Sequence, residues 1–84
     1  MLGAALIRAR KFREAVIFLE QNIDRIDDNA EARFYLGSAY AFLGNREAAM
    51  RELEVVSRLD TNLAASLAGL LGMKSNHGSP HERE

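Results

Sequence analysis

Displaced by about thirty-four residues, the chain falls onto itself. Leu2-Gly3 lands on Leu36-Gly37 and Ala5 on Ala39; further along, Glu14 falls near Glu47-Ala48, Ala15 on Ala49 and Leu19 on Leu53. Self-similarity at a fixed period marks copies of one supersecondary unit. Such a unit cannot bury its apolar face alone and stacks on its neighbour instead. With 84 residues there is room for about two such copies, as one small domain or as a piece of a longer array.

The spacing of apolar residues inside the repeat is helical. Phe12, Ala15, Val16, Leu19, Ile23 and Ile26 form one stripe, and Leu36, Ala39, Tyr40 and Leu43 a second. Ala49, Leu53, Val56 and Leu59 form a third, and Leu63, Leu67, Leu70 and Leu71 a fourth. Intervals of three and four residues with charges between them describe amphipathic helices. Proline is absent until Pro80 and β-branched residues are scattered, so the expected class is all-α. Asp28 is placed to cap the helix that follows, with Glu31 completing a capping box. Gly44 can end that helix and Asn45 can cap the next, while Asp60, Thr61 and Asn62 offer caps for the last. The division is a helical domain over residues 1–73, with unit one at 1–29, truncated at its start, unit two at 30–62 and a terminal helix at 63–73. Residues 74–84 (KSNHGSPHERE) have no apolar period and read as a disordered tail.

Two helices per unit at this period, and the stretch AEARFYLGSAYAFLGNREAAMRELEVVSRLDTN at residues 30–62, resemble the tetratricopeptide repeat family. Leu36-Gly37 matches the Leu-Gly pair of the family's first helix, and Ala39-Tyr40 its Ala-Tyr pair. Gly44-Asn45 matches the turn, Ala49 the small residue of the second helix, and Leu59-Asp60 the exit. Arg33 stands where an aromatic is usual, Arg46 replaces the aromatic after the turn, Val56 a small residue and Thr61 the exit proline. Unit one keeps that aromatic as Phe12 and has Asp27 at its exit. The resemblance covers residues 2–62. It implies an α-solenoid of antiparallel helix-turn-helix repeats in a right-handed superhelix, about five helices in all.

Gly37 sits inside a helix, where glycine costs roughly 1 kcal/mol against alanine. With Ala49 it is expected to mark a place where two helices approach closely. The same helix has a second apolar face, with Phe34, Ala41 and Phe42 nearly opposite Leu36 and with Glu31 and Ser38 among them. A helix apolar on both sides is sandwiched or lines a groove. The family resemblance implies that the first helix of each unit lines a concave surface where partner peptides lie. It makes Ala4, Ile7, Arg8, Glu31, Phe34, Tyr35, Ser38 and Phe42 the candidate peptide-binding set. Only Arg8 among them is basic, so a clamp for acidic C-terminal tails is not supported, and an apolar segment or an amphipathic helix is the expected ligand. The stretch 63–73 carries no charge, and Leu63, Leu67, Leu70 and Leu71 are therefore the candidates for self-association, as a homo-oligomer or within a longer chain.

Several function classes are disfavoured. Net charge is −1 and the sequence pI about 6.1, against nucleic-acid binding driven by bulk charge. The one cationic run, Arg8, Arg10, Lys11 and Arg13, reads as a solvated helix end and turn. Cysteine is absent, which removes disulfides, thiolate metal sites and cysteine nucleophiles. No apolar run suffices for membrane insertion, and a soluble, cytoplasmic protein is expected. His77 and His81 have metal-ligand spacing only on a helix, and Gly78 and Pro80 stand between and beside them, so no metal or other cofactor is expected. Paired carboxylates such as Asp27-Asp28 and Glu52-Glu54 fall at caps and charged faces, and no nucleophile, base or phosphate cradle accompanies them. The expected function is a non-enzymatic protein-interaction scaffold; the alternative is a purely structural oligomerisation or capping segment without a peptide ligand.

Overall fold

The computed structural model describes residues 2–25 and 28–72. Ile26, Asp27, Met73 and the 74–84 tail with its two histidines lie outside the described residues. Five helices follow in order: α1 (Leu2–Arg8), α2 (Phe12–Gln21), α3 (Ala30–Phe42), α4 (Arg46–Leu59) and α5 (Thr61–Leu70), with no strand among the described residues. The all-α expectation holds.

Short polar side chains start three of these helices by accepting the free N–H groups of the first turn. The Asn29 side chain accepts from the Ala32 N–H at 3.1 Å, and that of Asn45 from the Ala48 N–H at 3.2 Å. Asp60 accepts from the N–H groups of Asn62 and Leu63 at 2.9 and 3.2 Å. The cap of α3 is thus Asn29, one residue beyond the expected Asp28. The last helix also starts earlier than expected, at Thr61 rather than residue 63, because Asp60 satisfies its first turn. Gly72, with φ +75°, follows its end. Arg46 closes that end, its guanidinium donating to the Leu71 carbonyl at 2.8 Å.

Two of the turns are the same structure. After α3, Gly44 takes φ +83°, its N–H donates to the Ala41 carbonyl, and the Asn45 N–H donates to that of Tyr40. After α1, Arg10 takes φ +62°, its N–H donates to Ile7, and the Lys11 N–H donates to Leu6. Both are Schellman terminations, with the same two hydrogen bonds and a left-handed residue at the same place. Arg10 therefore occupies a conformation that glycine adopts without the Cβ clash.

Helix α3 lies at the centre and touches all four of the others. Leu36 and Ala32 meet Leu19 of α2, with Val16, Phe18, Ile23, Tyr35 and Tyr40 around them. Phe34, on the other side, packs with Leu53 and Leu63 against Val56, Ala64 and Leu67 from α4 and α5. The double apolar character of α3 is that of a sandwiched helix. Gly37 is what lets the sandwich close: a Cβ there would stand 2.7 Å from Leu67 Cδ2 and 3.1 Å from Glu52 Cβ. The close approach expected at Gly37 is present, and its opposing atoms belong to Glu52 and Leu67, with Ala49 fully buried nearby on α4. Gly37→Leu forces a branched side chain into occupied space and is expected to cost about 3 kcal/mol. Thermal unfolding followed by circular dichroism should show a melting temperature lower by roughly 15 °C; an unchanged value would mean the helices are not in van der Waals contact at this point.

Candidate functional site

The candidate peptide-binding residues divide by burial. Ala4 and Ser38 are buried, and the Ser38 hydroxyl donates to the Phe34 carbonyl at 2.8 Å, so neither side chain is available to a ligand. Phe34 and Tyr35 are half-buried, their rings 5.6 Å apart and each packed on a different core cluster. Ile7 is half-buried, while Arg8, Glu31 and Phe42 are exposed. Phe42 is 49% accessible and stacks on Phe12 of α2, with centroids 4.5 Å apart and the rings within 13° of parallel. Phe34 and Phe42 therefore do not form one continuous aromatic wall: the first faces α4 and α5, the second the start of α2.

The four candidate association leucines divide likewise. Leu67 is fully buried against Val56 and Ala64, and Leu71 is buried as well. They belong to the interior of this chain, which corrects the expectation that Leu67 and Leu71 are available for self-association. The correction follows from α5 packing on both α3 and α4. Leu63 is half-buried and Leu70 is 43% exposed.

Ionisable groups lie between the helices too. Arg33 of α3 donates from one nitrogen to both carboxylate oxygens of Glu52 on α4, at 3.0 and 3.3 Å, and both side chains are buried. This explains why an arginine can stand in an apolar stripe. Burial pushes the Glu52 carboxyl above its ordinary value of 4.5, while the hydrogen bond and charge of Arg33 pull it back. Tyr40 donates its hydroxyl to Glu20 across α2 and α3. Burial first, then the Glu20 carboxylate, holds the Tyr40 phenol well above its ordinary 10.0. Both pairs join helices, and neither lies in a cleft.

Two open depressions lie on the surface. One, of about 490 Å³, runs along α4 between Glu47, Met50, Arg51, Leu53 and Glu54. The other, of about 300 Å³, is formed by Arg10, Lys11, Phe12, Arg13 and Glu14 together with Leu43 from the end of α3. Periodicity did not select this second group, because its residues lie across a turn. Its signals in the sequence were the cationic run Arg8, Arg10, Lys11 and Arg13, read as a solvated helix end and turn, and the alignment of Arg10 with Gly44. Among the described residues no group of three or more His, Cys, Asp or Glu is placed to hold a metal, and no helix is long and apolar enough to cross a membrane.

No family model matches the chain, and neither a curated protein nor a solved structure is significantly similar to it.

The Arg33–Glu52 pair has a defined pH signature. A carboxyl raised in the folded state contributes stability that is fully present below 4.5 and lost as pH rises through the folded value. Arg33→Met removes the opposing pull, so the folded value rises further and a buried carboxylate is left uncompensated at neutral pH. The expected loss is about 3 kcal/mol at pH 7, shrinking toward pH 4.5 as Glu52 protonates. Urea denaturation of both proteins across that range measures the difference, and a loss independent of pH would assign the effect to packing alone.

Proposed function

We propose that the chain is a tetratricopeptide-type helical module that acts as a protein-interaction scaffold and has no catalytic role. It binds a peptide or an amphipathic helix across the face formed by α1, α3 and α5. The observation that carries this reading is the order of contacts: α1, α3 and α5 touch in succession, while α2 meets only α1 and α3, and α4 only α3 and α5. Stacking restricted to near neighbours, with alternate helices sharing one layer, is how a solenoid builds. The shared turn after α1 and α3, one repeat apart, supports the same assignment. Of the candidate residues on α1 and α3, Arg8, Glu31 and Phe42 are exposed and Ile7, Phe34 and Tyr35 half-buried.

A second role, assembly with another copy through α5, is favoured by one observation. Thr61–Leu70 has no charged residue, and its exposed side includes Ala65, Gly69 and Leu70.

Peptides selected from a random library against the folded protein, then titrated while amide resonances are followed, test the first role. Ile7, Arg8, Glu31 and Phe42 should respond together, and Phe42→Ser should weaken binding roughly tenfold. Responses confined to the outer side of α4 would refute it. Light scattering tests the second role, since Leu70→Asp should reduce an assembled species to the monomer mass without altering peptide affinity.

A further inference from the structure

We propose that the α1–α2 turn and the end of α3 form a separate docking site for an acidic peptide segment that carries an apolar side chain. The site is the 300 Å³ depression lined by Arg10, Lys11, Phe12, Arg13, Glu14 and Leu43. Residues 8–14 hold four of the chain's eleven Lys and Arg but only one of its twelve Asp and Glu. Among the described residues, none of these four cations makes an ion pair or a side-chain hydrogen bond. Among the described residues outside this stretch, Arg33 is held by Glu52 and Arg46 by the Leu71 carbonyl, while Arg25, Arg51 and Arg58 also lack an ion pair or side-chain hydrogen bond but are dispersed along the chain. A concentrated, unneutralised positive patch on a chain of net charge −1 is complementary to carboxylates.

The patch has an apolar side as well. Phe12 lines it with its ring stacked on Phe42, and Leu43 beside them is 40% exposed. Its volume is at the low end for a ligand pocket, and suits one apolar side chain flanked by carboxylates. Glu14 on the rim repels phosphate yet can accept a peptide N–H.

Arg10 adds a second argument. It holds φ +62° at the position that Gly44 fills in the equivalent turn. A glycine would relieve that strain, and a strained residue kept within a cationic pocket points to a use for its side chain.

None of the six lining residues belongs to the set assigned to the α1, α3 and α5 face, although Arg8 and Phe42 of that set border the site, and the site stands whether or not a peptide binds to that face. Fluorescence anisotropy with the full chain and a labelled peptide of Glu and Ser around one central Leu tests it. Binding should weaken with salt, roughly tenfold on Lys11→Glu plus Arg13→Glu, and several-fold when the central Leu becomes Ser. Arg10→Gly should raise the melting temperature while lowering affinity, a combination that loss of folding cannot produce. Leu70→Asp should leave affinity unchanged. Absence of binding, equal affinity for the charge-reversed protein, or tighter binding of an oligothymidylate of matched charge would overturn the proposal.

Discussion

Helix α3 can hold α4 and α5 against the same turn only because one of its residues has no side chain. At Gly37 the Leu67 side chain and the Glu52 β-carbon lie where a Cβ would clash, so α4 and α5 approach the same turn of α3 together. That close approach makes α5 part of the core. It also explains how a helix rich in alanine can be buried: Ala32, Ala39, Ala48 and Ala49 are small enough for backbones to come near, and close packing replaces the burial of large side chains. The helix-propensity cost of a glycine is offset by contacts along two helix pairs.

The charged pair beside this contact follows from it. Glu52 lies against Gly37, where its β-carbon is fixed by packing and its carboxylate must find a donor inside the protein. Arg33, one turn before Gly37 on α3, supplies that donor. Buried ion pairs contribute little net stability against apolar replacements, but an unpaired partner is costly, and this asymmetry penalises any sliding of α3 along α4. Alanines and glycine tolerate several registers. The Arg33–Glu52 pair is satisfied in one.

How much of this was legible in the sequence depended on whether the signal was periodic. Apolar stripes gave α2 to α5 and the repeat gave α1, while Gly44, Asn45 and Asp60 gave helix ends, because caps and left-handed terminations act through the local backbone alone. Asp28 and Asn29 are both good caps, and the choice between them turns on a one-residue difference in chain direction that no local preference resolves. Leu67 and Leu70 belong to the same stripe, yet one is fully buried and the other largely exposed; that division is set by where α3 and α4 lie, which spacing within α5 does not encode. Arg33 looked like a departure from an apolar pattern because its partner is nineteen residues away. The accessible part of the candidate peptide face shrank for the same reason: Ala4 and Ser38 are covered by tertiary contacts rather than by their own helix.

The two equivalent turns show what remains after packing is accounted for. Their backbones make the same hydrogen bonds, so the difference between them resides in the side chains: Gly44-Asn45-Arg46 after α3, Arg10-Lys11-Phe12 after α1. In the first, the left-handed residue is unstrained, Asn45 caps α4, and Arg46 reaches across to close α5. In the second, the left-handed residue carries a long cationic side chain, Lys11 gives no side-chain cap to α2, and Phe12 turns to Phe42. The first sequence satisfies the fold at each of its positions. The second leaves the strain and the missing cap uncompensated within the described residues, and concentrates positive charge in their place. Stability explains the turn after α3 residue by residue, whereas in the turn after α1 only Phe12 is explained by its contacts within the described residues, which is the ground on which a docking role for Arg10 and Lys11 is proposed.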